Sequence, residues 1–291
     1  MTKKNAQAQE KEWKQTTGQE ENPQEQGTEQ PKKPHISYSQ IKMALRCMKQ
    51  FEFRYVKGIM FPPGVAALLG KTWHAGIELN YKQKMETGKD LPVEQMKDAF
   101  VDNLKQAAEQ EEYVFQEGES LDSIKDVGIQ ITELHHKAIA PKVKPLLVEK
   151  KFRLPLKNRN KDLLGYIDLV DGKDGIFIVD NKSYKKTPSQ KDFDADLQFS
   201  IYSLAYRLIT GELESGLRMD CVVKTKTPKA MQLYSSREMN ELIWVLGLVE
   251  KVDDAIKTGI FPPNPMDATG KQSWHCSPKW CGYWDMCKNR Y

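Results

Sequence analysis

The stretch Leu163–Leu208, LLGYIDLVDGKDGIFIVDNKSYKKTPSQKDFDADLQFSIYSLAYRL, decides how the rest of the chain is read. It opens with GYIDLVD at 165–171, a short apolar run of residue types that favour strands. GKDG follows at 172–175, then a second apolar run, IFIVDNKSY, at 176–184. Two such runs joined by a Gly/Asp-rich turn predict a β-hairpin. Its polar residues are few: Asp168 in the first strand, then Asp180 and Lys182 late in the second. The side-chain period of two puts Asp180 and Lys182 on one face. Charge on an otherwise apolar strand needs partners, because burying it alone is costly. A divalent cation held by Asp168 and Asp180 supplies one. Mg²⁺ takes a few carboxylate oxygens and lets water and phosphate complete its shell. Lys182 then sits beside the metal, placed to orient water or to stabilise charge developing on a phosphate.

The same stretch continues into a predicted helix. Asp192, Asp194 and Asp196 precede the apolar positions Leu197, Ile201, Leu204, Ala205 and Leu208, so the acidic residues fall near the positive end of the helix dipole. Gln198 and Tyr202, four apart, share a face. The series G-x-x-D, D-x-K and Q-x-x-x-Y resembles the RecB-like branch of the PD-(D/E)XK nuclease superfamily. That resemblance implies an α/β fold with a restriction-endonuclease-like core, a mixed central sheet flanked by helices. It implies that Asp168 and Asp180 bind Mg²⁺ or Mn²⁺, that Lys182 completes the active site, and that Gln198 and Tyr202 line the path of DNA.

The flanks extend it. Ser37 or Ser39 can cap a helix whose apolar positions are Ile41, Leu45, Met48, Phe51 and Tyr55. This stretch resembles the opening helix of iron–sulfur members of the branch, with Cys47 in the place of their cysteine. GKTWHAGIE at 70–78 resembles the motif that contributes a histidine to the metal site. His74 is then a metal and catalytic residue, with Glu78 one turn later. Residues 91 to about 143 read as a helical insertion, in which the neighbouring His135 and His136 are expected to face solvent. Residues 146–156 alternate as a strand, and Glu149 reads as an ordinary member of it. After the central helix, 217–234 reads as one further strand, with Lys224, Lys226 and Lys229 either solvated or on phosphate. A helix follows over 236–259.

The C-terminal stretch, FPPNPMDATGKQSWHCSPKWCGYWDMCKNRY from 261 to 291, has no helical or strand period. Three of the chain's five cysteines lie in it, Cys276, Cys281 and Cys287. Thiolates suit zinc and iron–sulfur clusters. Three are one short of a tetrathiolate site, and Cys47 supplies a fourth. Cys221 reads as a small core residue. Structural Zn²⁺ is the competing occupant, but it draws on pairs two to four residues apart, and no tight C-x-x-C pair exists here. One early cysteine plus a late trio resembles the 4Fe–4S clamp of AddB-type subunits and of the iron–sulfur nucleases of CRISPR adaptation.

Composition sets the frame. Of 291 residues, 39% are hydrophobic and 29% charged, and the net charge is +4. Nothing approaches the roughly 20 apolar residues of a membrane span, and a cytoplasmic setting is expected. Residues 1–34 are polar and predict a disordered tail. Residues 35–291 are expected to form a single nuclease domain. The resemblance implies a metal-dependent deoxyribonuclease, expected to be an exonuclease acting on DNA with single-stranded ends in repair, recombination or phage DNA processing. No helicase motif is present, so a helicase or recombination protein would be a separate partner. The alternative is a catalytically silent DNA-binding or scaffold protein of the same fold, against which intact Asp168, Asp180 and Lys182 argue.

Overall fold

A computed structural model of the chain describes residues 34–157 and 159–288. The expected tail lies outside these residues except for Pro34. The strands are β1 (His35–Ser37), β2 (Pro145–Pro155), β3 (Asp162–Asp171), β4 (Phe177–Tyr184), β5 (Gly216–Val223) and β6 (Lys229–Ser235). The helices are α1 (Tyr38–Arg46), α2 (Met48–Phe51), α3 (Val65–Thr87), α4 (Val93–Gln110), α5 (Leu121–Ala138), α6 (Gln190–Asp194), α7 (Leu197–Thr210), α8 (Met239–Lys257) and α9 (Trp284–Lys288). They form two compact units. The first comprises residues 63–152 and 166–242; the second comprises 34–62, 153–165 and 243–288.

In the first unit the sheet is mixed. β3 and β4 are the antiparallel hairpin, with Leu169 opposite Val179 and Asp171 opposite Phe177. Gly175 closes its turn at φ +119°, a conformation that favours glycine. β4 and β5 are parallel, with Asp180 opposite Met219 and Lys182 opposite Cys221. A parallel pair needs a crossover, and α6 and α7 supply it. The stretch read as one strand over 217–234 is two, β5 and β6, paired antiparallel. The basic run after Val223 is their turn, not a strand end.

Helices α3, α4 and α5 share a core with this sheet. Trp73, Ile77 and Tyr81 from α3, Phe100 and Leu104 from α4 and Ile131 from α5 meet Leu169, Val179 and Val222. Gly128 lets α4 and α5 close up: a Cβ there would lie 1.8 Å from the Phe100 ring. β5 is buried along its whole length although it carries two charges. Arg218 reaches Asp220 at 2.9 Å and Asp171 at 2.7 Å, so the buried guanidinium is paired on both sides.

In the second unit β1 runs parallel to the start of β3, with Ile36 opposite Leu163. Ser37 caps α1 in a reciprocal box with Gln40. The expected continuous helix through Tyr55 is interrupted at Cys47, whose backbone is extended between α1 and α2. Leu45 and Tyr55 consequently stay exposed. Asp253 on α8 is fully buried and receives Arg159 at 3.2 Å and Lys161 at 2.8 Å. No described helix is long and apolar enough to cross a membrane.

Candidate active site

Three elements of the first unit bring ligating atoms together. His74 from α3, Glu149 from β2 and Asp168 from β3 present atoms that all lie within 4.8 Å of one another. His74 Nδ1 is 3.4 Å from Asp168 Oδ2. Asp180, from the partner strand of the hairpin, stands against Asp168 closely enough to raise its pKa. Oδ2 of Asp168 and Oδ2 of Asp180 are buried with no hydrogen-bond partner. Lys182 Nζ is 2.5 Å from Asp180 Oδ2, a close ion pair.

The helix after the hairpin supplies the next layer. Asp196 caps α7 by accepting from the Gln198 amide at 2.8 Å, which fixes the first turn. The Gln198 carboxamide then uses both ends. Its Oε1 accepts from Lys182 Nζ at 3.0 Å, and its Nε2 donates to the Tyr202 hydroxyl at 2.7 Å and to Asp180 Oδ1 at 3.3 Å. Gln198 and Tyr202 therefore sit on the hairpin's carboxylates and lysine. Tyr202 is buried, so a face open to a ligand is not what its hydroxyl offers.

The electrostatics are those of a site with too much negative charge. Burial raises the Asp168 carboxyl well above its usual range, and the Asp180 and Glu149 charges raise it further. Burial, Glu78 and Asp180 push Glu149 up to about 7. Burial lowers His74 against the opposing pull of Asp180. For Lys182, burial would lower the pKa, but Asp180 outweighs it and the ammonium is held charged. Three buried or half-buried carboxylates and an imidazole fit a hard divalent cation, which would offset the crowding of negative charge.

Glu149 was legible only as a strand residue. Its backbone has φ +47°, the only positive value at a non-glycine among the described residues. Such strain collects at functional sites, and here it accompanies a carboxylate turned toward His74 and Asp168. Glu78 is not in the cluster; it pairs with Lys82 at 2.5 Å.

His135 corrects the expectation of a solvent-facing histidine. It is fully buried. Its Nε2 lies 3.0 Å from Oδ1 of Asn181, the residue between Asp180 and Lys182. Its ring meets Trp73, the neighbour of His74, edge to face at 5.5 Å. Burial lowers its pKa to about 4, so it is neutral behind the site. His136 is partly buried, 2.6 Å from the Leu91 carbonyl. Lys224 is 3.0 Å from the Ser183 hydroxyl, and Cys221 is core.

The second unit holds four of the five cysteines. Cys47, Cys276, Cys281 and Cys287 line one cavity of about 470 Å³. None is in a disulfide. Gln50 Nε2 donates to Cys281 Sγ at 3.0 Å. Burial raises the Cys276 thiol pKa, and the other three cysteines add to it, as expected for sulfurs gathered in one place. His275 is turned away into hydrogen bonds with Ser273 Oγ at 2.9 Å and the Asn264 carbonyl at 3.2 Å. Four thiols around one void suit a soft metal or a cluster.

The chain belongs to the PD-(D/E)XK nuclease superfamily, whose family model matches residues 35–288. Among solved structures it is similar to a candidate exonuclease from Eubacterium rectale, with a TM-score of 0.55 at 14% identity, covering 87% of this chain and 93% of that one. At this identity the likeness concerns the fold alone. The structure of SSO0001 overlaps 97% of this chain and 95% of its own at 8% identity, but its TM-score of 0.38 carries no argument. No curated protein matches the sequence significantly.

Proposed function

We propose that this PD-(D/E)XK superfamily chain is a Mg²⁺- or Mn²⁺-dependent deoxyribonuclease of the RecB-like iron–sulfur type, working as an exonuclease on DNA with single-stranded ends. The observation that carries the reading is the convergence of His74, Glu149 and Asp168 beside Asp180, with Asp168 Oδ2 buried without a hydrogen bond. Those four residues would hold the cation. When bound, it supplies Lewis-acid activation of water and of the scissile phosphate.

The remaining work falls to the chain's own groups. Lys182, kept charged by Asp180 and aimed by Gln198, places an ammonium where negative charge grows on the phosphate or where the attacking water is held. Gln198 fixes Lys182 and Tyr202 together and lines the DNA path with Tyr202 behind it. The buried His135–Asn181 contact holds β4 from the rear, so Asp180 and Lys182 keep their register. Cys47, Cys276, Cys281 and Cys287 would ligate a structural 4Fe–4S cluster, or Zn²⁺ in its place. Repair, recombination or phage DNA processing in the cytoplasm, beside a separate helicase or recombination protein, is the setting this activity suits.

The test is digestion of end-labelled single- and double-stranded DNA with Mg²⁺, with Mn²⁺ and with EDTA. Metal-dependent release of short products from an end is expected. DNA binding without cleavage under any metal would replace this reading with the silent DNA-binding protein.

A further inference from the structure

The second unit carries an aromatic feature that the proposed chemistry leaves unused. Trp274 and Trp280 are 67% and 55% exposed. A lone exposed tryptophan needs no explanation. These two meet edge to face, with ring centroids 5.9 Å apart. Lys279 holds its ammonium 5.2 Å from the centre of the Trp280 ring.

The pair is pinned. The Cys276 amide donates to the Ser273 carbonyl at 2.9 Å, and the Trp280 and Cys281 amides donate to the Ser277 carbonyl at 3.1 and 2.9 Å. The Ser277 hydroxyl donates to the Trp274 carbonyl at 3.0 Å. His275, fixed by Ser273, packs its ring against Trp274 at 5.7 Å. Cys276 and Cys281 each adjoin this turn and line the cysteine cavity. Lys279, between the two tryptophans in sequence, is the cation placed against the pair.

Two exposed indoles in mutual contact, with an ammonium beside one of them, match one class of ligand. Unpaired bases stack on aromatic faces without regard to sequence, and nearby cations take the phosphates. Duplex DNA hides its base faces and a membrane surface has none.

We propose that Trp274 and Trp280, with Lys279, form a stacking site for the bases of single-stranded DNA. The proposal rests on the nuclease reading for its substrate class and adds where an unpaired strand is held.

The test uses the full chain, prepared without oxygen, in EDTA so that no strand is cut. Affinity is measured by fluorescence anisotropy for a labelled oligothymidylate and for an abasic strand of equal length. The wild type should bind the thymidylate about tenfold or more tighter than the abasic strand, in line with stacking energies for a base on an aromatic ring. The Trp274→Ala/Trp280→Ala protein should lose that preference and bind both as the wild type binds the abasic strand. Trp274→Phe/Trp280→Phe should keep most of it. Equal wild-type affinity for the two strands overturns the proposal and needs no variant to fold. Thymidylate affinity unchanged in the alanine double variant, with normal iron content and melting temperature, overturns it too and points the indoles toward a protein partner. Either outcome alongside metal-dependent DNA cleavage leaves the nuclease reading standing, whereas absence of both binding and cleavage removes the two together.

Discussion

The two units gather donor atoms in opposite ways. In the first, hard donors sit on regular elements. Asp168 and Asp180 come from neighbouring strands of one hairpin, and Lys182, Gln198 and Tyr202 interlock around them. In the second, four soft donors come from the break between α1 and α2, from an irregular turn carrying Cys276 and Cys281, and from the short helix α9. A small apolar cluster, chiefly Phe53 and Tyr283 with Cys281, lies beside them. Regular backbone satisfies its own hydrogen bonds and holds a site together with or without a ligand. Under the proposed ligation, the irregular turn through Cys276 and Cys281 would be held by what the thiols bind. Loss of the ligand should therefore cost the first unit its chemistry and the second its shape.

The largest effect tests the first half of that contrast. Asp180→Ala and Lys182→Ala should each lower DNA cleavage by about two to three orders of magnitude, the usual cost of removing a transition-state contact. Melting temperatures should move by only a few degrees. Cleavage near the wild-type rate in either protein would take these residues out of the chemistry.

The second half is tested at Cys47. Protein prepared anaerobically should be brown, and Cys47→Ser should remove the colour as fully as serine at Cys276, Cys281 or Cys287. A cross-link between Cys47 and the late cysteines closes a loop holding most of the chain, worth about 5 kcal/mol in the loop-entropy picture. Cys47→Ser should lower stability by that order, and Cys221→Ser should leave colour and iron intact. Full iron content in Cys47→Ser would break the clamp, while stoichiometric zinc without iron would keep its geometry and change its occupant.

Glu149 sharpens the boundary of the carboxylate site. Glu149→Gln keeps the shape and removes the charge. The Mn²⁺ concentration for half-maximal cleavage should rise by at least about tenfold, the lower end of what even groups behind a metal's ligands contribute. An unchanged metal titration would confine the site to His74, Asp168 and Asp180.

What could be read from the chain follows from where each signal lies. The hairpin was legible because a period of two with a Gly/Asp turn is a local pattern, and the shared face of Asp180 and Lys182 follows from that period. That Cys47 and the late trio line one cavity agrees with counting three late cysteines as one short of a tetrathiolate site; that they hold a metal is the proposal above. Glu149 was not legible: one acid in an alternating strand has no local signature, and its place by His74 depends on the backbone at φ +47°. His135 misled for a similar reason. Adjacent histidines do diverge on a helix, but which of them turns inward was decided by Asn181, 46 positions away. The break at Cys47 was hidden because apolar spacing continues across it, whereas the turn between β5 and β6 was marked by the polar run KTKTPK with Pro228 and was passed over as part of one strand.

The smallest expected effect concerns that same histidine and is read as stability against pH. His135 is buried and neutral in the folded chain, with a pKa lowered to about 4 by loss of hydration, whereas an unfolded histidine titrates near 6.5. Below about 6.5 the unfolded chain binds a proton that the folded chain refuses. The contribution of His135 to stability is therefore complete above about 6.5 and is lost progressively as pH falls from there toward about 4. Glu149 has the opposite sign. Its pKa is raised to about 7, so its contribution is present at low pH and is lost as pH rises through about 7. The wild-type pH profile alone mixes the two. Subtracting the profile of His135→Gln, which can still hydrogen-bond Asn181, removes what both proteins share. Between pH 7.5 and 5.5 the wild type should lose about 1 kcal/mol more than the variant, by urea unfolding in EDTA. Identical profiles would mean that His135 protonates as readily in the folded chain as in the unfolded one, and that the rear of β4 is open to water.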